Sequence, residues 1–420
     1  MFLLLVGLSQ EFATAEEPVE WRIIPTASAG ISSLCVVYGI SGDGEVAVGG
    51  SIPSGGAPGQ TAWRWRRSSW QNLGILRLPL PDGQLYAGAT AVDFDGRHIA
   101  GWLGHYGPFT SFSACLWIDE ASPISLSNPQ FSNQCRPNSC SADGATVVGV
   151  TGYYENASSP FKWTAGGGIV NLAAPTFQRS TAFAASADGT LFAGAVKPYE
   201  SDWLAAIWGL GDALTLLTDA NYQLKSATGF SADGLGVIGE TASGQAYLWT
   251  EADGALLLGS MPGFPYSRPS DISADRTVIV GKMSATHDFS ESRSFLWHRR
   301  FGMLDLRDYL EHAGVRFWGN NPVDAVGISD DGQHVVGQAH GSSSWSDPFY
   351  ARLKYRCAVS DLDFDLQTGL SDLAIFLTHY GFCEFNGTFY LRRADMDLDG
   401  CINLTDLAIL LAEFGTVCPE

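Results

Sequence analysis

The chain has 420 residues, a net charge of −20 and only 16% charged residues, together with 48 glycines and 13 tryptophans. A chain of this length can bury a large core, and its glycine and aromatic content is typical of a turn-rich β-protein. So much negative charge repels phosphate backbones, so the composition argues against nucleic acid as a partner.

The first 15 residues contain an apolar run at positions 2–8, followed by the small residues Ala13, Thr14 and Ala15. This pattern is typical of a short signal peptide, although it lacks the usual basic residues at its start; the alternative is a frayed apolar terminus. No later stretch approaches about 18 uninterrupted apolar residues, so no membrane span is predicted. We therefore expect a secreted, extracellular protein, and the even number of cysteines, eight, suits an oxidising compartment.

A turn-and-strand unit recurs along most of the chain. One copy has Ser-Ala-Asp-Gly at residues 141–144, followed by an apolar run at 146–150. Asp can hydrogen-bond its own backbone and Gly accepts a positive φ, so this segment predicts a tight turn between two strands. Seven copies occur at intervals of 42–56 residues, and their turn aspartates are Asp43, Asp95, Asp143, Asp188, Asp233, Asp275 and Asp331.

Each copy continues with a tryptophan-containing segment and a short aliphatic segment, which predict two further strands. Six copies carry the tryptophan, and the seventh has Ala351 in its place. The tryptophans are Trp65, Trp117, Trp163, Trp208, Trp249 and Trp297. Four strands in about 45 residues is the unit of a β-propeller blade. The sequence therefore predicts an all-β fold, a seven-bladed β-propeller of four-stranded blades over residues 16–356.

The seventh copy ends near residue 355 without a fourth strand, whereas residues 19–24 resemble the end of a repeat. We predict that residues 19–24 complete the last blade, because closing the ring removes exposed strand edges. Residues 305–314 add a helix signature, with Asp305 as N-cap and Gly314 at the end. With this helix before the last copy, the recurrent Ser-Ala-Asp-Gly, Val-Val-Gly and Trp pattern resembles the extracellular HAF-repeat family. That resemblance implies the propeller and secretion, and little chemistry.

The turn aspartates are interpreted as structural, because each occupies the place where an Asx-type turn needs Asp before Gly. The copy with two acids, Asp93 and Asp95, is weak evidence for calcium. We interpret the repeat tryptophans as wedges between blades, and His98 and His334 as structural. The sequence has no Gly-x-Ser-x-Gly, His-Glu-x-x-His, Cys-x-x-Cys or P-loop motif, so no catalytic residue is assigned. Carboxylates that converge around the channel only in the folded ring would leave no local motif. The alternative that the propeller is an enzyme therefore remains.

The loops between the second and third strands of the blades are the variable part of the repeat. In a four-stranded blade these loops open on the same face as the blade-to-blade connections, opposite the repeat turns. We predict a ligand-binding rim there, formed by Trp102, Tyr106, Tyr153, Tyr154, Tyr199, Trp203 and Trp345. The same loops carry His105, Phe109, His287, Phe289 and His340. Aromatic rings with polar edges suit a glycan or peptide ligand; the alternative is that they fold back over the core.

Residues 357–420 form a different unit, with 11 acidic residues and two arginines. Aspartates stand at positions 1, 3, 5 and 12 of two loops that start 34 residues apart. Calcium takes six to eight oxygen ligands, and this spacing wraps side-chain oxygens and the backbone carbonyl of position 7 around one point. The predicted ligands are Asp361, Asp363, Asp365, Gln367 and Asp372 in the first loop, and Asp395, Asp397, Asp399, Cys401 and Asp406 in the second.

Each loop leads into a predicted helix, at residues 370–381 and 404–415. Two calcium loops, each followed by one helix and with Asp at position 12, resemble a type I dockerin. The resemblance implies two Ca²⁺ ions and a cohesin-like protein or cell-surface assembly as partner. The first loop has Leu366 where the second has Gly400, so the second site should be the stronger.

Positions 10 and 11 help dockerins to recognise their partner. Here they are Leu370 with Ser371 and Leu404 with Thr405, rather than a small hydroxyl pair, which is a departure from that family's pattern.

The cysteines leave several pairings open. Cys35 and Cys115 lie on predicted strands and are either disulfide-bonded or buried thiols, while Cys135 and Cys140 are close enough in sequence to bridge within a loop. Of the three pairings possible for the four tail cysteines, we favour Cys357 with Cys418 and Cys383 with Cys401.

Two functions are compatible with the sequence. The first is a secreted, non-catalytic binding protein whose propeller recognises a ligand while the tail docks it to an assembly. The second is a glycan-active hydrolase or an accessory of a polysaccharide-degrading system. The missing carboxylate motifs favour the first.

Overall fold

The computed structural model folds into seven four-stranded antiparallel sheets, which confirms the seven-bladed β-propeller. In six sheets the strands follow one another in sequence from the inner to the outer edge. The structure describes residues 19–25, 34–52, 61–67, 75–81, 86–104, 112–126, 134–152, 158–172, 174, 177–313, 315–317, 319–340, 346–354, 360–362, 367–383, 394–396 and 401–416. The predicted signal peptide lies outside these residues.

The first three blades lie between residues 34 and 171. Blade 1 consists of β2 (Leu34–Ile40), β3 (Val46–Ile52), β4 (Ala62–Arg66) and β5 (Ile75–Arg77). Blade 2 consists of β6 (Tyr86–Val92), β7 (His98–Gly104), β8 (Phe112–Ile118) and β9 (Ile124–Ser125). Blade 3 consists of β10 (Cys135–Cys140), β11 (Thr146–Thr151), β12 (Ser159–Thr164) and β13 (Gly168–Asn171).

The next three blades repeat this order. Blade 4 consists of β14 (Arg179–Ala185), β15 (Phe192–Lys197), β16 (Leu204–Trp208) and β17 (Leu214–Leu216). Blade 5 consists of β18 (Leu224–Phe230), β19 (Val237–Thr241), β20 (Ala246–Thr250) and β21 (Gly254–Leu257). Blade 6 consists of β22 (Tyr266–Ile272), β23 (Val278–Ser284), β24 (Ser292–His298) and β25 (Gly302–Asp305).

Blade 7 closes the ring with strands from both ends of the repeat array. Its strands are β26 (Asn321–Ile328), β27 (His334–His340), β28 (Ser346–Arg352) and β1 (Glu20–Ile23). β1 pairs antiparallel with β28, and the ring of Trp21 stacks 4.5 Å from that of Phe349. Ile24 is buried against blade 1. The prediction that residues 19–24 complete the last blade is therefore confirmed.

The repeat turns are held by a hydrogen-bond pattern that explains the Ser-x-Asp-Gly sequence. In blade 3 the Ser141 hydroxyl donates to Asp143 Oδ1 at 2.6 Å, and the same carboxylate oxygen accepts from the Ala145 backbone N–H at 2.9 Å. Gly144 has φ 66°, which a residue with a side chain adopts only with strain. Five other blades repeat the Ser–Asp bond. The aspartates therefore build turns, and in six blades Gly follows them, as predicted. In blade 6 Arg276 takes the place of the glycine, with φ 63°.

Blade 2 departs from this pattern because Asp93 takes the place of the serine. Its Oδ1 accepts from the backbone N–H of His98 at 3.0 Å, and its Oδ2 lies 2.6 Å from His98 Nδ1. The ring of His98 packs so closely on Gly144 of the next blade that a Cβ there would lie 2.3 Å away. His334 makes the same contact with Gly44 across the closure of the ring. Both histidines thus pack between neighbouring blades, and Asp93 orients the ring of His98.

The core lies between neighbouring blades. Between blades 1 and 2, for example, Val46 and Val48 pack with Ala89, Ile99 and Trp117. Four of the repeat tryptophans are buried, and Trp163 and Trp249 are half-buried against the same kind of interblade cluster. The tryptophans are therefore core wedges.

Each blade also contains a close approach between its first two strands. A Cβ added to the central glycine of the second strand would lie only 1.9–2.2 Å from a carbonyl oxygen of the first strand. The first strand carries a register shift at or beside this point in every blade. The absence of a side chain thus permits the bulge that shapes the wall of the channel. The glycines are Gly49, Gly101, Gly149, Gly194, Gly239, Gly281 and Gly337.

Three α-helices are found among the described residues. α1 (Leu306–His312) follows β25 and is capped by Asp305, which accepts from the Arg307 backbone N–H at 2.9 Å. In the tail, α2 (Leu370–His379) and α3 (Leu404–Glu413) pack through a small cluster that includes Phe376 and Leu410. Among the described residues, no helix is both long and apolar enough to cross a membrane.

The described cysteines support one of the expected disulfides and exclude another. Cys383 and Cys401 are bridged, with 4.1 Å between their Cα atoms, so the end of α2 is tied to the second loop. Cys135 and Cys140 are not bridged. The expectation that they bridge was wrong because both lie on β10, where five residues of strand span about 16 Å. Cys35 and Cys115 are buried thiols, while Cys357 and Cys418 lie outside the described residues.

We expect a variant that lacks residues 19–24 to melt well below the parent and to aggregate. The deletion exposes the edge of β28 and removes the burial of Trp21 and Ile24, each worth roughly 1.5–3 kcal/mol. Thermal unfolding followed by circular dichroism measures the loss. Arg22→Lys, which keeps the strand and the positive charge beside Glu20, is the control and should melt with the parent. A deletion variant that melts with the parent would contradict closure by β1.

Candidate functional site

The candidate site lies on the face of the propeller that we call the upper face. It is formed by the loops between second and third strands and by the blade-to-blade connections, because consecutive strands are antiparallel in every blade. The first strand of each blade begins at this face and lines the channel. Side chains near the start of the first strands therefore surround the upper mouth of the channel.

A cavity of about 490 Å³ opens at this mouth, on the side of blades 3 and 4. Its size falls within the range of small-molecule sites, roughly 300–1,000 Å³. Its wall combines two guanidinium groups, an amide and several hydroxyl groups with three aromatic rings. The lining residues are Tyr38, Thr90, Arg136, Asn138, Val150, Ser158, Arg179, Thr181, Phe183 and Trp203.

Backbone and side-chain hydrogen bonds between blades 3 and 4 fix this wall. Ser180 donates its backbone N–H to the Ser158 carbonyl oxygen at 2.9 Å, so the residue beside Arg179 is tied to the preceding blade. Asn138 donates from Nδ2 to the Ala182 carbonyl oxygen at 2.8 Å. Because the two first strands are joined in this way, the positions of Arg136 and Arg179 depend on the rigid interblade contact and not on a mobile loop.

The channel wall of blades 5 to 7 holds an ion-pair network. Glu240 is buried and lies 3.2 Å from Lys225 Nζ and 3.1 Å from Arg268 Nε. Asp324 lies 2.7 Å from Lys282 Nζ, and burial raises its pKa above the usual range despite this partner. Both carboxylates are therefore engaged by cations.

A second cavity of about 450 Å³ lies between blades 6 and 7, beside α1. Its lining includes Glu291, Arg293, Asp305 and His340. Asp305 also caps α1 and lies 3.2 Å from Arg293, and burial raises its pKa. Of the two carboxylates named in this lining, Asp305 is thus committed to the helix cap.

The aromatic residues predicted at the rim occupy different environments. Trp203 lines the first cavity, and Tyr199 in the same loop is 71% exposed. Trp102 is buried, with its ring 4.8 Å from that of Phe112, so it belongs to the packing of blade 2. Tyr106, Tyr153, Tyr154 and Trp345 lie outside the described residues, as do His105 and Phe109.

The remaining loop residues lie over blades 6 and 7. The Phe289 ring lies 4.5 Å from the Arg268 guanidinium, and His287 packs edge-on against Tyr266. His340 is exposed at the second cavity. These rings therefore cover the ion-pair side of the channel mouth.

The predicted calcium ligands are described at the two ends of each loop. Asp372 at position 12 accepts a hydrogen bond of 2.5 Å from the backbone N–H of Leu362. Leu362 directly follows Asp361, which is position 1 of the loop. Its other oxygen accepts from the Gly369 N–H at 2.7 Å. Gln367, at position 7, is exposed.

The second loop repeats this arrangement. Asp406 accepts from the backbone N–H groups of Met396 and Asn403, at 2.5 and 2.8 Å, which brings it to Asp395 at position 1. Asp361, Asp372, Asp395 and Asp406 are all buried. Cys401 is in the disulfide, and Asp363, Asp365, Asp397 and Asp399 lie outside the described residues.

Sequence reasoning missed Arg136 and Arg179. Their spacing from the turn aspartates could have located one of them. Arg136 and Arg268 each stand seven residues before a turn aspartate, in the strand that lines the channel. Arg179 stands nine residues before Asp188 and reaches the same cavity one blade away.

The chain is similar to several solved structures. A prolyl endopeptidase structure is 11% identical with a TM-score of 0.50, and the match covers 76% of this chain and 50% of that chain. A TolB from Acinetobacter baumannii is 13% identical with a TM-score of 0.42, over 74% of this chain and 80% of that chain. A putative TolB from Agrobacterium tumefaciens is 13% identical with a TM-score of 0.40, over 54% of this chain and 80% of that chain.

The likeness concerns the fold alone. No protein-family model and no curated protein matches the chain.

We expect Trp102→Ala and Tyr199→Ala to separate core rings from surface rings. Truncating the buried Trp102 leaves a cavity and should cost about 3–5 kcal/mol, whereas truncating the exposed Tyr199 should change stability by less than about 0.5 kcal/mol. Chemical denaturation of the two variants measures both values. Equal losses would contradict this division of the rim.

Proposed function

We propose that the protein is a secreted, non-catalytic binding protein. Its propeller binds a ligand at the upper mouth of the channel, and its tail docks it to a protein partner in a calcium-dependent manner. The observation that carries the proposal is the cavity on the side of blades 3 and 4, which Trp203 lines together with Arg136 and Arg179. Convergent polar groups with an aromatic ring in a preformed concavity are the usual composition of a ligand site.

The chemistry of this cavity favours binding over catalysis. Its described lining contains no carboxylate, imidazole or thiol, the groups that most often transfer protons or attack substrates. A glycan hydrolase would instead need two carboxylates flanking the scissile bond, about 5–10 Å apart. Glu240 and Asp324, the carboxylates described above on the channel wall, are each held by basic side chains.

The tail supports the calcium part of the proposal. At each loop, position 12 hydrogen-bonds beside position 1, so two buried carboxylates are brought to the start and end of a 12-residue segment. Metal coordination is one way in which proteins retain buried carboxylates, and oxygen donors suit a hard cation. Asp361 with Asp372 and Asp395 with Asp406 would each hold one Ca²⁺ ion, which would supply the positive charge that orders its loop.

The two tail helices present matching apolar side chains for a partner. Leu370 and Leu377 on α2 are 76% and 58% exposed, and Leu404 and Leu411 occupy the same positions on α3 at 68% and 56%. Such a repeated apolar surface on a short segment is typical of an interaction site. We infer that these leucines contact a cohesin-like protein or a cell-surface assembly. The Cys383–Cys401 disulfide is compatible with an extracellular location.

The ligand function is tested by retention of the full chain on immobilised cell-surface polysaccharides and peptides. We expect Trp203→Ala to reduce retention at least about tenfold, because stacking on the indole supplies part of the affinity. Phe94→Ala is the control, since this partly exposed ring lies in a repeat turn on the opposite face. Retention that is insensitive to Trp203→Ala, or release of cleaved glycan, would contradict a binding protein that acts through this cavity.

Calcium should protect the tail of the full chain from proteolysis. In excess chelator, repulsion between the loop carboxylates should open the tail, so a protease should remove it and leave the propeller. Asp406→Asn, which weakens the second loop, should be cleaved even at calcium concentrations that protect the parent. Glu311→Gln, an exposed change on α1, is the control. Equal cleavage of the parent with calcium and with chelator would contradict the calcium sites.

A further inference from the structure

Basic residues gather on one arc of the channel, although the protein has a net charge of −20. The first strands of blades 3, 4, 5 and 6 contribute Arg136, Arg179, Lys225 and Arg268 in turn. The first strands of blades 1 and 2 contain no basic residue, and that of blade 7 contains Asp324. The basic residues of the first strands therefore occur in four consecutive blades, 3 to 6.

Two pairs of residues make up this arc. Lys225 and Arg268 both contact the buried Glu240, so that pair is organised around an internal carboxylate. Arg136 and Arg179 line the 490 Å³ cavity at the channel mouth. A ligand in the cavity therefore meets two guanidinium groups from neighbouring blades.

Guanidinium groups select the chemistry of the ligand. Each is a planar fork of N–H donors that matches a carboxylate in a bidentate fashion, and such charge-assisted hydrogen bonds are roughly twice as strong as neutral ones. Asn138, Thr90 and Thr181 add neutral polar groups that suit hydroxyl groups of a ligand. The wall therefore fits a molecule that carries a carboxylate among several hydroxyl groups.

The aromatic side of the cavity fits the ring of such a molecule. Trp203 precedes β16 and lines the cavity, while Tyr199 in the same loop points into solvent. An indole face packs on the apolar face of a sugar ring and leaves the hydroxyl edge to polar groups.

From this geometry, and resting on the proposed function, we propose that the cavity binds an acidic saccharide through its carboxylate. Arg136 and Arg179 bind the carboxylate of a uronic-acid residue, and Trp203 packs on the face of its ring.

The test uses isothermal titration calorimetry of the full chain with trigalacturonic acid and with its fully methyl-esterified form. The ester keeps the ring shape and the hydroxyl groups and removes the negative charge, so the pair isolates the contribution of the carboxylate. We expect the acid to bind at least about tenfold more tightly than the ester, which is the scale of one charge-assisted hydrogen bond.

Substitutions assign this preference to the two arginines. Arg136→Gln and Arg179→Gln should each weaken binding of the acid about tenfold or more and leave binding of the ester nearly unchanged. Arg179→Lys keeps the charge and loses the fork, so it should fall between parent and Arg179→Gln. Arg97→Gln, which removes an exposed arginine paired with Asp119 on the opposite face, is the control for net charge. Melting temperatures of all variants show that each is folded.

The outcomes distinguish this inference from the proposed function. Equal binding of acid and ester, still lost in Trp203→Ala, would overturn the carboxylate proposal and leave the binding function standing. Binding of the acid that survives both Gln substitutions would also overturn it. Preference for an acidic peptide over the saccharide, or no binding of either, would reject the saccharide as ligand. Tight binding of the acid that both substitutions weaken supports the proposal.

Discussion

The close approach of the first two strands is the contact on which every blade depends. At the centre of the second strand a glycine lies so near a first-strand carbonyl oxygen that an added Cβ would stand 1.9–2.2 Å from it, in all seven blades. The carbonyl belongs to the residue at or beside the bulge, and aromatic rings of the third strand pack against the same glycine in most blades. Any side chain there would push apart the inner strands, and with them the packing between blades.

The same contact also creates variable positions on a fixed backbone. The residues whose carbonyl groups approach the glycines include Arg136, Thr181, Arg268 and Asp324. Arg136 and Thr181 line the cavity, while Arg268 and Asp324 belong to the ion-pair side. The bulge is thus a common feature of the blades, whereas the side chain of the residue beside it differs from blade to blade. Functional groups on such rigid strands are held more accurately than groups on loops.

The repeats, the closing strand β1 and helix α1 could be predicted from the sequence, because each leaves a local pattern, whereas the Cys383–Cys401 disulfide was one choice among three possible pairings of the tail cysteines. The cavity could not, because Arg136 and Arg179 lie 43 residues apart and meet only when the ring assembles. Trp102 and Trp203 look alike in the sequence, since both are tryptophans predicted in loops between second and third strands. Only the packing shows that the Trp102 ring is buried against Phe112. The Cys135–Cys140 expectation was wrong because proximity in sequence is not proximity along a strand.

Hydrogen–deuterium exchange of the full chain, with and without trigalacturonic acid, tests the central claim most directly, since it locates the ligand without any substitution. Exposed backbone amides exchange rapidly, and a bound ligand slows those that it covers or orders. Slower exchange of peptides that contain residues 134–138 and 198–204, with unchanged exchange at residues 290–323 beside α1, is the result that we predict. Protection confined to the cavity beside α1, or to the repeat turns on the opposite face, would contradict a ligand site at the channel mouth.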